Sequence, residues 1–297
     1  MARWQGQVAR LINGMPIEVD PRDLVGSHIL RSGVWEPETV WFFRHWLRPG
    51  LAVVDAGAHV GQYTLLASGL VGAEGRVIAF EPHPVLGQVL RRNVERAGCA
   101  NVTVSPLALG RARGTADLGQ HPPDNYGASS LRPGPDPSST RQSRARVQVS
   151  TLDDYLAGAG VPRVDLVKID VEGAELDVIE GARRTLAAHP DVVLVVEFLR
   201  ANAVRFGHTV EDLETGLREL GFSLFTLTPL GLASYEPVTE RAANVVAVRR
   251  LMTLLRGLPE PVAALTLRRL ARGRLEPQPG RYPVRREGGT LVSQGPG

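Results

Sequence analysis

The residues best placed to do chemistry are acids delivered at the ends of apolar strands. Residues 53–61, Val53-Val54-Asp55-Ala56-Gly57-Ala58-His59-Val60-Gly61, read as a strand that carries an acid into a glycine turn and opens into a helix. Glycine lets a backbone approach a ligand closely, and a helix start offers N–H groups with no intrahelical partner. Beyond that helix, Glu81 ends a second apolar strand and is followed by Pro82. An acid at this point accepts hydrogen bonds from both hydroxyls of a ribose, and its charge excludes a phosphate. Strand-end acids are common in α/β proteins, so it is the pairing of Glu81 with the glycine turn that carries the ribose reading. Residues 105–110 follow a third strand and would abut an adenine edge, which puts Ala108 there, with an ordinary surface turn as the alternative.

Asp170 and Glu172 emerge from a fourth strand, again at the C-terminal ends where such sheets bind ligands. Two carboxylates there can steer a cation, bind a metal or take a proton from a hydroxyl. One of them is equally expected to cap the helix that follows. Glu197, ending a fifth strand, is a third acid on the same rim. The glycine turn is D-x-G-x-x-x-G, whereas a dinucleotide fingerprint needs G-x-G-x-x-G. Asp55 would repel a pyrophosphate, while the ammonium and sulfonium of S-adenosylmethionine are attracted to it by charge. An NAD-dependent oxidoreductase is therefore the alternative, not the first reading. A P-loop kinase is excluded because the only lysine, Lys168, lies in no glycine loop. Methyl transfer to an alcohol needs in-line alignment, exclusion of water and a base. Glu172 or Asp170 is the expected base, with His59 behind them because its place in the turn also suits packing or adenosine contact. Asp170 and Glu197 offer oxygen ligands for a divalent metal such as Mg²⁺, yet two strand-end acids are too common a pattern, and no metal is expected.

These residues need elements to hold them. An Asn13-Gly14 pair between short apolar runs reads as a hairpin over residues 7–19. A helix starts at Pro37 and runs to about residue 47. Strands at 51–55, 76–81 and 102–104 alternate with helices through Tyr63–Leu70 and at 86–97, the β-α-β-α-β pattern of a parallel doubly wound sheet. The pattern resumes with a helix at 151–158, a strand at 164–170, one helix at 174–187, a strand at 192–198, a helix near 210–220, and strands at 223–227 and 244–248. The expectation is an α/β fold with a mostly parallel seven-stranded sheet closed by an antiparallel strand. Residues 120–143 are rich in Pro, Ser and Gly, and the segments 115–118 and 145–149 that flank them can pair as a short ribbon.

With 43% hydrophobic and 22% charged residues over 297 positions, the composition is globular. The longest apolar run, 192–196, is far short of the roughly 18 residues of a membrane span. No signal-like apolar segment follows Met1, which makes the cytoplasm the expected compartment. A single cysteine, Cys99, forbids an internal disulfide and a cysteine-rich zinc cage. The net charge of +3 is unevenly spread: residues 249–297 carry +7 and residues 1–248 carry −4, so nucleic acid is not an expected partner. That tail reads as a partly disordered extension, or as a face for an acidic membrane or partner surface. Arginine makes up all but one of the 34 basic residues, which reads as a genomic base-composition bias. Three segments result: 1–48, a hairpin and helix; 49–250, the cofactor-binding domain; and 251–297, the arginine-rich extension.

Five blocks in order, D-A-G-A-H-V-G-Q-Y-T, F-E-P-H-P, G-A-S-S-L, T-L-D-D-Y and K-I-D-V-E-G-A-E-L-D-V-I-E-G-A, resemble the FkbM family of S-adenosylmethionine-dependent methyltransferases over residues 28–248. The resemblance implies a class I, Rossmann-like methyltransferase fold and O-methylation of a hydroxyl on a sugar, glycan or polyketide-type natural product. By matched motif, Asp55, Ala56, Gly57 and Gly61 would line the methionine side of the cofactor. Glu81 with Pro82 would hold the ribose, and Asp170 with Glu172 would face the transferring methyl. The upstream G-x-x-E element matches Gly33-Val34-Trp35-Glu36 and places Glu36 near the cofactor. An inactive methyltransferase-like binding module is the alternative from a different class.

Overall fold

The computed structural model describes residues 4–120, 125–131, 143–228, 231–237, 242–258, 260–263, 266, 284–287 and 290–293. The elements in chain order begin with a hairpin, β1 (Gln7–Arg10) and β2 (Pro16–Val19), and two helices, α1 (Leu24–Ser32) and α2 (Pro37–Trp46). Then come β3 (Ala52–Ala56), α3 (Gln62–Val71), β4 (Arg76–Phe80), α4 (Pro84–Arg96), β5 (Val102–Ser105), β6 (Ala108–Leu109), β7 (Gly114–Gln120) and β8 (Ser143–Ser150). The second half holds α5 (Leu152–Gly158), β9 (Leu166–Ile169), α6 (Glu175–Glu180), α7 (Arg183–Ala188), β10 (Val193–Phe198), α8 (Arg200–Arg205) and α9 (Val210–Glu219). It ends with β11 (Ser223–Thr228), β12 (Gly231–Ser234), β13 (Ala243–Val248), α10 (Leu251–Gly257) and a pair, β14 (Val284–Glu287) with β15 (Thr290–Ser293).

The main sheet has eight strands, ordered β12-β11-β13-β10-β9-β3-β4-β5, rather than the seven expected. Its five strands from β5 to β10 are parallel, β13 runs against them, β11 pairs antiparallel with β13 and so runs with the five, and β12 extends the edge by doubling back on β11. Four residues with a glycine at φ +105° give β12 too little periodicity to be read as a strand; the pairing with β11 makes it one. Alternate residues of the same strands feed opposite cores. Val53, Val77, Leu166, Val193 and Val195 pack with Phe43, Tyr63 and Leu66 from α2 and α3. Val54, Ile78, Val167, Leu194 and Val196 pack with Leu156, Ile179 and Leu213 from α5, α6 and α9. Strands buried on both faces read as unbroken apolar runs for this reason, and each such side chain contributes roughly 1.5–3 kcal/mol of burial.

The hairpin forms as expected, but only Gly14 takes positive φ, and Met15 N–H is accepted by the Asn13 side chain. The expected single helix at 174–187 is two, α6 and α7. It breaks where the Gly181 carbonyl accepts from Asp153 N–H, and where a side chain on Gly181 would meet the Gly110 carbonyl at 2.1 Å. The ribbon of β7 and β8 is present and gains β6 as a third strand. Residues 132–142 and most of the arginine-rich tail, including 267–283, lie outside the described residues, and the readings made of them stand there. Among the described residues no helix is long and apolar enough to cross a membrane.

Candidate active site

A cavity of about 430 Å³ opens at the C-terminal ends of β3, β4, β9 and β10, where the sheet's direction of winding reverses. Gly57, His59, Glu81, Pro82, Leu107 and Ala108 line one end. Glu36, Asp170, Glu172, Glu197, Asn202 and Arg205 line the other. Three residues other than glycine have positive φ among the described residues, Glu36, His59 and Glu172, and all three line this cavity. Left-handed backbone at such residues persists only where the surroundings impose it, and it concentrates at functional sites.

The glycine end is held by backbone contacts. Gly57 turns at φ +80°, and a Cβ there would lie 1.8 Å from the Asp170 carbonyl oxygen, so only glycine lets the two loops touch. The side chain of Glu81 accepts from His59 N–H at 2.7 Å and from His83 N–H at 2.8 Å, one to each oxygen. Burial pushes this carboxyl up to about 7 against the pull of both N–H groups. The ring of His83 caps α4, its Nδ1 accepting from Val85 and Leu86 N–H. Burial and the nearby His59 pull it down to about 4, so its Nε2 carries the hydrogen at neutral pH. Both ring nitrogens of His59 and Nε2 of His83 are buried without a hydrogen-bond partner. His59 lies 3.8 Å from Asp23 Oδ2, and burial lowers its pKa.

Asp55 and Gly61 are not among the lining residues. Asp55, 1% exposed, accepts from Thr64 Oγ1 at 2.6 Å and lies 4.0 Å from Lys168 Nζ. The two are register partners on β3 and β9, so their side chains project toward α3 together. Its carboxyl is directed into the wall, where burial raises its pKa against the pull of Lys168 and Thr64, so the charge argument that rested on it does not hold. Gly61 starts α3 at φ +101° against Leu90, whose Cδ1 leaves 2.5 Å for a Cβ.

Lys168 is the residue that reading the sequence passed over. It is 1% exposed, donates to Asp170 Oδ2 at 3.0 Å, and sits 4.9 Å from the centre of the Tyr63 ring. Desolvation works against its charge, but Asp170, Asp55 and Glu36 outweigh it and hold the ammonium protonated. A chain with 33 arginines keeps one lysine, at this position. That exception is the signal the sequence offered: a compact ammonium sits against Asp170 and Asp55 and feels the charge of Glu36.

At the far end Glu36, before the first turn of α2, accepts from the Tyr63 hydroxyl at 2.7 Å. Burial and the charge of Asp170 raise its pKa, with Lys168, Tyr63 and Asn244 opposing. Neither Asp170 nor Glu172 caps α6. Its N-cap is Ala174, and Glu175 instead reaches back to accept from Val171 and Gly173 N–H, fixing the turn that presents Glu172. The carboxylate of Glu172 accepts from Asn202 Nδ2 at 2.8 Å. Burial, then Asp170 and Glu175, push it up to about 8. Glu197 is held well above the carboxylate range by burial and by Asp170 and Glu172, and its Oε2 is buried without a partner. Ser130 of the G-A-S-S-L block donates to the Glu172 carbonyl, bringing that block to the rim. Among the described residues no group of three or more His, Cys, Asp or Glu is arranged to hold a metal ion.

Residues 55–224 match the family described as the methyltransferase FkbM domain. Methyltransferase 1 of Beauveria bassiana is 30% identical over 143 residues, covering 43% of this chain and 57% of that protein. Methyltransferase sdnD of Sordaria araneosa is 28% identical over 200 residues, covering 58% and 73%. Hexuronic acid methyltransferase AglP of Haloferax volcanii is 27% identical over 142 residues, covering 48% and 54%. The chain thus spans little more than half the length of two of these three relatives.

Proposed function

We propose, for a chain that belongs to the methyltransferase FkbM domain family, that it transfers a methyl group from S-adenosylmethionine to a hydroxyl of a sugar, glycan or polyketide-type small molecule. The observation that carries this reading is one cavity with a backbone-lined end and a carboxylate-lined end. The residues fit the cofactor. Each oxygen of Glu81 keeps a lone pair free after accepting from the backbone, which suits a ribose diol. The bare Gly57 turn with Ala56, Pro82 and Ala108 gives close apolar and backbone walls, and the unpartnered nitrogens of His59 and His83 offer polar contacts. When bound, S-adenosylmethionine supplies a methyl group on a cationic sulfur, which passes to the acceptor oxygen and leaves a neutral thioether.

Carboxyl oxygens of Glu36, Asp170, Glu172 and Glu197 face that cation at the far end. Glu172 takes the proton of the acceptor hydroxyl. A base whose pKa lies near the working pH combines available carboxylate with useful driving force. Asp170 is tied to Lys168 and holds position, and Asp55 acts through that lysine. Recognition of a hexuronic acid by AglP supports a hydroxylated sugar as acceptor class. Isothermal titration with S-adenosylhomocysteine and with NAD, followed by a labelled-methyl screen over sugars, uronic acids and polyketide alcohols, tests the reading. Binding of the first compound and label on an acceptor oxygen is the expected result. Binding of NAD alone returns the oxidoreductase, and binding without transfer returns the inactive module.

A further inference from the structure

The short helix α8 carries two residues whose contacts have no role in forming the sheet or the core. Asn202 is 3% exposed. Its Nδ2 donates to Glu172 Oε2 at 2.8 Å, and its Oδ1 accepts from Arg205 Nη2 at 2.9 Å. All three side chains line the cavity. Gly173 brings the helix this close, since a Cβ there would lie 2.5 Å from the Phe206 ring and 2.7 Å from the Asn202 carbonyl. His208 closes the same junction through Nε2 and the Gly173 carbonyl, 3.0 Å apart.

We propose that Asn202 and Arg205 are positioning residues that orient Glu172 and keep its carboxylate available as a base, an inference resting on Glu172 being the proton acceptor. A guanidinium can only donate, so Arg205 obliges the Asn202 amide to turn its oxygen outward and its N–H₂ toward Glu172. A donor aimed at a carboxylate favours the ionised form. The surroundings oppose ionisation. Asp170 and Glu175 face Glu172 from its own turn, Glu197 from the end of β10, and Glu36 lies beyond Glu197, while Lys168 of β9 is occupied by Asp170. Of the two arginines on α8, Arg200 pairs with Glu211, and Arg205 together with Asn202 pulls the Glu172 carboxyl down. Without them the carboxyl would stay protonated further into the alkaline range and would be a base in a smaller fraction of molecules.

The test follows the Glu172 carboxyl by NMR in the full chain labelled with ¹³C at glutamate Cδ, the resonance being assigned by its loss in Glu172→Gln. The native midpoint is expected near 8. Arg205→Met and Asn202→Ala should each bind the proton at least threefold more tightly. Arg205→Lys, which restores the charge, should fall closer to the native protein than Arg205→Met does. Thermal unfolding confirms that each variant is folded, and Asn202→Ser replaces Asn202→Ala should the latter not fold. An unmoved midpoint in the folded variants overturns the inference and leaves the base assignment intact. Full turnover by Glu172→Gln overturns the base assignment and leaves the titration result standing.

Discussion

At the Gly57–Glu81 end of the cavity the wall is backbone, fixed by a missing Cβ and by main-chain N–H groups that a carboxylate gathers in. At the Asp170–Glu197 end it is side chain held by side chain, through Lys168, Tyr63, Asn202 and Arg205. The difference separates two kinds of fragility. A backbone wall admits no substitution of its glycines, yet its chemistry survives many changes around it. A side-chain wall accepts isosteric replacement without collapse and loses function instead.

The largest expected effect is on the backbone end. Gly57→Ala sets a methyl against the Asp170 carbonyl at positive φ, and strain of this kind costs about 1–3 kcal/mol before the clash is counted. Unfolding in urea should show that loss, and titration should show no binding of S-adenosylhomocysteine. Native-like stability and affinity would end the contrast. Next, Glu172→Gln keeps shape and removes the base. Its turnover should fall roughly 10²–10⁴-fold, with S-adenosylhomocysteine affinity within about threefold of native. Smaller again is Glu81→Gln, which keeps one of the two N–H contacts, sets its amide N–H₂ against the other N–H and removes the charge facing the sugar diol. Affinity for S-adenosylhomocysteine should drop by about tenfold, as for a hydrogen bond to a charged acceptor.

A fourth effect, on pH-dependent stability, sharpens the comparison. Burial raises the Glu172 carboxyl from 4.5 to about 8, so the folded protein binds this proton more tightly than the unfolded chain. Its stabilisation is complete below pH 4.5, declines as pH rises, and is exhausted above about 8. Subtracting the melting temperature of Glu172→Gln from that of the native protein isolates this contribution, because the remaining titrating groups are shared. The difference should shrink from pH 5 to pH 8 and stay constant above pH 9; a flat difference throughout would remove Glu172 from the buried acids.

What was legible in the sequence divides along the same line. The core strands announce themselves as apolar runs, and Asp55, Gly57, Gly61 and Glu81 stand at fixed offsets from their ends, so local pattern places the turn and the acid that follows it. Asp55 shows the limit: its type and position were readable, its direction into the wall was set by Thr64 and Lys168 on other elements. Helix α8 is six residues long, Arg-Ala-Asn-Ala-Val-Arg, with no apolar stripe to mark it. Only its docking on Gly173 brings Asn202, with Arg205 bonded behind it, to Glu172. The expected cap at Asp170 or Glu172 gave way to Glu175 for a similar reason. A carboxylate four residues on can reach back to the Val171 N–H only once the turn has closed.

Lys168 also has a practical consequence for watching the molecule open. A protease that cuts after lysine has one target bond in the whole chain, between Lys168 and Ile169, and that bond lies inside a central strand with both flanks paired. Cleavage therefore requires the middle of the sheet to come apart, whereas fraying loops and ends leave no trace. The rate of appearance of two fragments would report the population of that opened state directly, and a ligand bound at the carboxyl ends of β3 and β9 would slow it in proportion to its affinity.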